Sequence, residues 1–251
     1  MEELSPVKAR LINKGQTDFF YPAVIKPCTG CGKKGVHIVR SGQELAEALE
    51  YAQKESGTLM IEELISGREI SAESLSFGGR HQVIQLTDKE ITGAPHFVET
   101  GHRQPATLSE EIKETINRVV PRILDAVGFT DGAAHTELKI DEKSRRIYLI
   151  EVNLRGGGDE ISNSLVRLST GFDYVRAMIE IALGEFRFPS EITDKNIAGI
   201  LYLCKQTKEK FENFDTTNFD ILQKHIPHTQ LTESTGNYDR DGYIIYCGKE
   251  K

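Results

Sequence analysis

The sequence lacks the features that mark membrane, secreted and nucleic-acid-binding proteins. Its 251 residues contain no run of about 18 apolar residues, so no membrane-spanning helix is predicted. The formal net charge of −7 argues against a general binder of nucleic acid or membrane surfaces. The opening Met1–Pro6 has neither the basic nor the apolar region of a secretory signal. We therefore expect a cytoplasmic protein that binds neither membranes nor nucleic acids.

Cysteine is also scarce, with four residues in the whole chain. Four cysteines in this length do not form a disulfide scaffold, and a reducing compartment is the default. Cys28 and Cys31 form a Cys-x-x-Cys pair, but a zinc site would need a second pair. Cys204 and Cys247 lie too far apart in the sequence to supply one. Metal and redox roles are the less favoured interpretations, and the purpose of the pair stays open.

The most informative segment is the apparent strand 147–155, in which polar and apolar residues alternate. Because successive side chains of a strand point to opposite faces, Glu151, Asn153 and Arg155 should share one face. The opposite face should be apolar, with Tyr148, Ile150, Val152 and Leu154. Such strands often simply face solvent. However, Glu137 in the preceding strand and the glycines at 156–158 favour metal and phosphate chemistry, since carboxylates and amides suit Mg²⁺ and arginine suits phosphate.

A short buried strand at 21–27 leads into the glycine-rich segment 28–35. Lys26 lies in an apolar run, where lysine seldom occurs without a partner. A snorkelling residue at the edge of a strand is the alternative interpretation. The segment lacks the Walker pattern and is a weak signal alone. Together with Lys26 it predicts a phosphate site under a closing lid, whose backbone amides approach the phosphates at Gly30, Gly32 and Gly35.

Glu62 and Glu69 flank a turn between two further strands. The backbone between them could contact the edge of a purine, and Glu69 could accept hydrogen bonds from ribose hydroxyls. Two surface glutamates beside a turn are the alternative interpretation.

Taken in order, four motifs resemble the ATP-grasp superfamily. They are the strand ending in Lys26-Pro27, the glycine-rich segment, the segment 61–69, and the set Glu137, Glu151, Asn153 and Arg155. The resemblance covers roughly residues 20–190. Within the superfamily, the chain looks most like the carboxylate–amine ligases, and in particular the L-amino acid ligases, which are related to the ATP domain of carbamoyl phosphate synthetase. The segments that carry this narrower resemblance are Pro95–Glu99, Gly101–Ala106, His135–Glu137, Ser169–Asp173 and the tail Arg240–Gly248.

The resemblance implies roles for individual residues. Lys26 would bind the α- and β-phosphates under the lid, which includes Lys33, and Arg155 would steady the transferring phosphate. Adenine would be held by Glu62, Glu63 and Leu64, and ribose by Glu69. One or two Mg²⁺ (or Mn²⁺) ions would be held by Glu137, Glu151 and Asn153. Residues that would contact substrate are His96, His102, His135 and Gly157, and the histidines could also assist deprotonation of the amine. A structural role is the alternative interpretation for each histidine.

The expected fold is α+β of the ATP-grasp type, with two α+β subdomains that grip ATP and a small C-terminal α/β appendage. The expected ranges are a lead-in at 1–20, a small subdomain with the lid at 21–88, a large subdomain with the metal site at 89–188, and a C-terminal subdomain at 189–251. The expected reaction activates a carboxylate, such as that of an amino acid, as an acyl phosphate. An amine then forms an amide or peptide bond, and ADP and phosphate are released.

Two alternatives stay open. One is a bicarbonate-activating domain like those of carbamoyl phosphate synthetase and biotin carboxylase, and the other is a non-catalytic ATP-binding module. Superfamily members usually carry an N-terminal α/β domain with an upstream phosphate-binding lysine or arginine, whereas only 25 residues precede Lys26. We therefore expect part of a longer or split enzyme, whose partner besides the small-molecule carboxylate and amine is a second copy or a separate N-terminal domain or subunit.

Overall fold

The computed structural model describes residues 4–13, 19–30, 32–93, 97–141, 143–226, 231 and 233–249. These residues form two antiparallel sheets. The smaller sheet has the order β1-β4-β2-β3, with β1 at Ala9–Leu11, β2 at Ala23–Pro27, β3 at His37–Val39 and β4 at Leu59–Glu63. The larger sheet has eight strands in the order β11-β12-β10-β7-β6-β5-β8-β9. They are β5 Arg68–Phe77, β6 Arg80–Ile91, β7 Glu99–Gln104, β8 Gly132–Asp141, β9 Arg146–Asn153, β10 Ile197–Leu203, β11 Phe219–His225 and β12 Gly242–Gly248.

Helices cover parts of both sheets. They are α1 Leu45–Gln53, α2 Glu110–Ala126, α3 Val166–Thr170, α4 Tyr174–Ala182 and α5 Lys208–Glu212. A π-helical turn spans Ile161–Leu165, and 3₁₀ turns span Lys205–Thr207 and Asn237–Asp239. Among the described residues, no helix has the length and apolar character needed to cross a membrane. The mixture of helices with antiparallel sheets confirms the α+β class.

The small sheet and α1 share one core. Ala23 and Ile25 of β2 are fully buried and pack with Ala48 and Ala52 of α1, which lie one helical turn apart. Gly35 permits this close packing, because its φ is +72° and a Cβ there would lie 2.7 Å from Cγ of Pro27. Burial on one face of the sheet leaves the other face, with Lys26, free to line a cleft.

The central strands of the large sheet are covered by α2. Ile116, Val120 and Leu124 recur at helical spacing and are fully buried against Ile70 of β5 and Leu138 of β8. The helix begins after Ser109, whose side chain accepts a hydrogen bond from the backbone N–H of Ile112 at 3.4 Å. This packed layer gives the polar face of β8 and β9 a rigid support.

The division of the strands between the two sheets differs from the ranges expected for the subdomains. β5 and most of β6 fall in the range 21–88, but they lie in the middle of the eight-stranded sheet. β10 from the range 189–251 joins that sheet by pairing with β7, and β12 and β11 follow. Local patterns could not assign these strands, because antiparallel partners can lie far apart in sequence. The subdomain limits themselves stay a prediction.

A β-bulge interrupts the pairing of β8 with β9. Glu137 lies opposite Glu151, and Leu138 lies opposite Leu149, so Ile150 is the extra residue. Leu149 therefore packs into the core, and Ile150 lines the same cavity as Glu151. The placement of Ile150 on the face opposite to the acids was wrong, because a bulge reverses the alternation of side chains.

Candidate functional site

Residues from both sheets line a cleft with a volume of about 650 Å³. The small sheet and the lid contribute Lys26, Pro27, Cys28, Thr29, Gly30, Gly32, Lys33, Lys34, Val36, Met60 and Glu62. The large sheet and the loop after β9 contribute Lys89, Glu99, His135, Glu137, Ile150, Glu151, Asn153, Arg155, Gly158, Asp159 and Ile161. Asn237 and Tyr238 complete the lining from the C-terminal part of the chain. The structure thus brings together the predicted phosphate-binding and metal-binding residues.

Lys26 and Glu62 lie on paired strands, and their side chains meet in the cleft. The ammonium Nζ of Lys26 lies 2.6 Å from Oε2 of Glu62, and both side chains are partly exposed, at 21% and 16%. The pair is neutral overall and reachable from the cleft. A phosphate group could therefore compete with Glu62 for the ammonium group.

The lid contacts the large sheet through Lys33. Its Nζ donates to the backbone oxygen of Phe97 at 3.0 Å and lies 3.4 Å from carboxylate oxygens of both Glu69 and Glu99. Gly30 and Gly32, with φ of +140° and +67°, line the cleft, whereas Gly35 does not, and the approach of their amides to phosphates stays a prediction. Cys31 lies outside the described residues.

Three of the residues expected to hold the nucleoside are not in the lining of this cleft. The side chain of Glu63 lines a different cavity, beside Arg146 and Tyr148. The backbone N–H of Leu64 donates to the oxygen of Pro22 at 3.3 Å. Glu69 lies 3.3 Å from Nζ of Lys139, in addition to its contact with Lys33. Their roles at the nucleoside stay a prediction.

The expected metal ligands all face the cleft. Glu137 and Glu151 lie directly opposite each other on β8 and β9, and Asn153 lies opposite His135. Among the described residues, the side chains of Glu151 and Asn153 have no hydrogen-bond or ion-pair partner. Two carboxylates and one amide are a set of hard oxygen donors that fits Mg²⁺ or Mn²⁺. The exposed Arg155 follows in the same cleft, with Nη1 donating to the backbone oxygen of Gly156 at 2.9 Å.

Lys89, which sequence analysis did not single out, is buried between two acids on the large-sheet side of the cleft. Nζ of Lys89 is 2.9 Å from carboxylate oxygens of both Glu99 and Glu137. Burial opposes the charged form of Lys89, but the two carboxylates outweigh it and raise the pKa. Burial likewise opposes ionisation of the acids. Lys89 and Lys33 nevertheless lower the pKa of Glu99 to about 2, and Lys89 and His135 hold that of Glu137 well below its usual range.

His135 connects the metal set to a second missed residue, Glu73. Its Nδ1 lies 2.6 Å from Glu73 and its Nε2 lies 3.3 Å from Glu137. Burial disfavours the charged ring, but these carboxylates outweigh burial and raise the pKa of His135 to about 10. The raised pKa favours the charged ring, with both nitrogens protonated, and this form suits His135 to holding Glu137 in place.

Glu73 is fully buried and collects four donors. Besides His135, it accepts hydrogen bonds from Ser71, from Ser162 and from the backbone N–H of Gly157, at 3.1, 3.2 and 3.2 Å. A Cβ at Gly157 would lie 2.8 Å from both Glu73 and His135, so this position has no room for a side chain. Gly157 thus packs against the network. The sequence signal for Glu73 was an acid within the run Ile-Ser-Ala-Glu-Ser-Leu.

His102 lies in a third group of charges with Glu99 and Asp159. One ligand atom of each residue lies within 4.8 Å of the others, a spacing that could hold a metal ion. However, Arg240 already donates to both carboxylate oxygens of Asp159, at 2.8 and 2.9 Å, and Lys89 pairs with Glu99. Both acids of this group already pair with cations, and the group has no member without a partner to match Glu151 and Asn153 beside Glu137, so we assign no metal to it. His96 lies outside the described residues.

Residues 19–163, more than half of the chain, match the ATP-grasp domain. The chain belongs to the ATP-grasp family. Apart from Asn237 and Tyr238, the residues that line the cleft fall within this match, with the glycine-rich segment and Lys26 on one wall and the acids of β8 and β9 on the other.

Relatives of this ATP-grasp chain extend the comparison. The L-amino acid ligase from Bacillus licheniformis is 25% identical, with a TM-score of 0.76 over 98% of this chain and 64% of that chain. An uncharacterised protein, y4rH of Sinorhizobium fredii, is 32% identical over 65% of this chain and 34% of its own length. The biotin carboxylase domain of the Hydrogenobacter thermophilus 2-oxoglutarate carboxylase, solved with MgADP and bicarbonate, has the same fold, with 22% identity and a TM-score of 0.66 over 90% of this chain and 53% of that one. The chain thus spans between a third and two thirds of the length of these relatives.

Proposed function

We propose that this ATP-grasp domain is the ATP- and Mg²⁺-dependent part of a carboxylate–amine ligase. The observation that carries the proposal is the pairing of two walls in one cleft. Lys26 and the glycine lid can hold the phosphates, and Glu151 and Asn153 offer uncommitted oxygen ligands opposite them. The similarity to an L-amino acid ligase supports an amino acid as one substrate.

The charges in the cleft suit phosphoryl transfer to a carboxylate. Attack of a carboxylate oxygen on the γ-phosphorus brings two anions together. Bound Mg²⁺ would supply positive charge at the phosphates, and Arg155 would stabilise the transferring group. The bond from the γ-phosphorus to the β-phosphate oxygen breaks as the new P–O bond forms, which gives an acyl phosphate and ADP.

The second half of the proposed reaction forms the C–N bond. An amine attacks the carbonyl carbon of the acyl phosphate, phosphate leaves with the C–O bond electrons, and the nitrogen loses a proton. Water would hydrolyse the acyl phosphate. The contact of Lys33 with Glu69 and Glu99 would hold the lid closed and so exclude water from the intermediate. We assign Glu99, His102 and Asp159 to the neighbourhood of the carboxylate and amine, because Glu99 and Asp159 line the cleft and His102 lies 3.6 and 3.3 Å from their carboxylates.

Calorimetric titration with ATP, with and without Mg²⁺, tests the proposal first. We expect binding that needs Mg²⁺, followed by phosphate release that is stimulated by a mixture of the twenty L-amino acids. Release that responds to bicarbonate instead would support a bicarbonate-activating domain. Mg²⁺-dependent binding of ATP without phosphate release in the presence of any acceptor would support a non-catalytic module. The absence of ATP binding would contradict the proposal.

A further inference from the structure

The 3₁₀ turn Asn237–Asp239 and the next residue, Arg240, form a segment that we call the C-terminal turn. It lies beyond the residues that match the family, yet Asn237 and Tyr238 line the cleft. The turn is held in shape by Asp239, whose Oδ2 accepts from the backbone N–H groups of Thr235 and Gly236, each at 2.9 Å. A segment fixed in this way can position what it contacts.

Arg240 holds the loop that follows β9. Besides its two bonds to Asp159, its Nη1 donates to the backbone oxygen of Glu99 at 3.1 Å and its Nε donates to the oxygen of Asn237 at 2.6 Å. Its guanidinium carbon lies 3.6 Å from the centre of the Tyr202 ring. Only arginine combines a bidentate bond to a carboxylate with stacking on an aromatic ring.

The residue held by Arg240 has an unusual backbone. Asp159 and Glu160 have φ of +52° and +64°, a conformation that side chains with a Cβ seldom adopt without external support. Asp159 comes four residues after Arg155, in the loop whose Gly157 bonds Glu73. The bonds from Arg240 supply the support and fix this wall of the cleft.

Within the C-terminal turn, Tyr238 is the residue that contacts the lid. A Cβ on Gly32 would lie 2.4 Å from Cε2 of Tyr238, so the ring packs directly against the lid backbone. Nζ of Lys34 lies 5.2 Å from the centre of the ring, within cation–π range. Asn237, next to it, accepts from the backbone N–H of Glu99 at 3.0 Å. The turn therefore touches the lid, β7 and the loop after β9 together.

We propose that the C-terminal turn connects the lid to the end of the cleft that Glu99 and Asp159 line. Tyr238 is the residue against which the lid packs, and Arg240 is a positioning residue for Asp159. Closure of the lid over ATP then aligns the place where the carboxylate and amine bind. The kinetic part of this inference rests on the proposed function. The contact part does not depend on which acceptor is used.

Because the chain contains no tryptophan, a single fluorescent probe at position 238 can test the contact between this residue and the lid. Tyr238→Trp creates a single tryptophan, whose quenching by acrylamide is measured before and after saturation with ATP and Mg²⁺. We expect quenching to fall about two-fold on saturation, since a closed lid shields an exposed ring from solvent. Tyr51→Trp, on α1 outside the cleft and also partly exposed, is the matched control and should not change.

Arg240→Lys tests the positioning role, with Arg167→Lys as a control because Arg167 is exposed and pairs only loosely with Asp173, at 3.5 Å. Lysine keeps the charge but loses the bidentate bond and the stacking. We expect the KM for the amino-acid mixture to rise about ten-fold while the Kd of ATP with Mg²⁺ stays within about three-fold, because only the acceptor end loses its support. A general loss of structure would raise both the KM and the Kd. Arg240→Gln should raise the KM more than Arg240→Lys does.

The outcomes separate this inference from the proposed function. If the wild-type chain binds ATP with Mg²⁺ but the quenching of the tryptophan introduced by Tyr238→Trp stays constant, the role of the turn is overturned and the proposed function stands. The same conclusion follows if Arg240→Lys leaves the KM unchanged. If the wild-type chain binds no ATP in calorimetry, the proposed function fails, and the role of the turn fails with it.

Discussion

The two walls of the cleft use similar charged residues in different ways. On the small sheet, Lys26 pairs with a single acid, and both side chains are partly exposed. On the large sheet, Lys89 and His135 each lie between two acids and are almost fully buried. The first arrangement leaves its charge available to a ligand. The second uses most of its charge internally, while Glu151 and Asn153 have no side-chain partner among the described residues and Arg155 donates to a backbone oxygen.

Burial separates the charged groups that a ligand can reach from those that stabilise the fold. An exposed pair contributes little to stability and can exchange its partner for a phosphate. A buried network is strongly destabilised when one member is removed, because the remaining charges lose their partners in a poor solvent. Substitutions on the two walls should therefore separate ligand affinity from the free energy of unfolding.

The largest effect is expected on removal of the buried centre of the large wall. Glu73→Ala leaves His135 and three other donors without an acceptor, and we expect the free energy of unfolding to fall by about 3–5 kcal/mol. Urea denaturation followed by circular dichroism measures it. Glu50→Ala, at an exposed helix position with a 3.8 Å pair to Lys54, is the control, with an expected change below about 0.5 kcal/mol. A small change at Glu73 would show that the network is not a structural centre.

The next effect should appear in metal-dependent binding. Glu151→Gln keeps the size of an uncommitted ligand but removes its charge, so the Kd of ATP with Mg²⁺ should rise about ten-fold or more, equivalent to about 1.4 kcal/mol. Calorimetry at several Mg²⁺ concentrations measures it. Glu114→Gln on the exposed side of α2 should leave the Kd unchanged. Equal affinity and equal Mg²⁺ dependence in Glu151→Gln and the wild type would rule out the metal assignment.

Lys26→Met tests whether the exposed pair on the small sheet serves ligand binding more than stability. We expect the Kd of ATP to rise about ten-fold because a phosphate contact is lost, while the free energy of unfolding changes by less than about 1 kcal/mol. Titration and urea denaturation of the same variant give both numbers. Lys54→Met, in an exposed helix pair, serves as the control for removing a lysine. A stability loss as large as that of Glu73→Ala would erase the distinction between the walls.

The smallest effect is expected away from both walls. Arg145, in the turn between β8 and β9, has φ of +55° and an exposed pair with Glu111 at 3.0 Å. Arg145→Gly removes the backbone strain and loses a weak ion pair, so stability should rise by up to about 1 kcal/mol. Thermal unfolding would detect the shift, and a clear loss of stability would mean that the pair with Glu111 outweighs the strain.

The sequence predicted the local elements of the site better than their long-range contacts. The acids on β8 and β9 follow from alternation within short segments, although β9 spans Arg146–Asn153 rather than 147–155 and leaves Arg155 beyond its end. Lys89 and Glu99 lie on the paired strands β6 and β7, whereas Asp159 follows β9 and Arg240 precedes β12, so pairing between strands far apart in the sequence brings them together. Ile150 was misplaced because alternation alone does not reveal a bulge.

The backbone joins the small sheet to the large one at 64–67, where Gly67 has φ of +137° and a Cβ would lie 2.5 Å from the oxygen of Ile140. A second link precedes β1, where the N–H of Ser5 donates to the oxygen of Ile147 at 2.8 Å. Rotation of the small sheet about the line that joins these two links would open the cleft. We expect nucleotide exchange to use this rotation, so a substitution at Gly67 should alter the rate of exchange more than the equilibrium affinity.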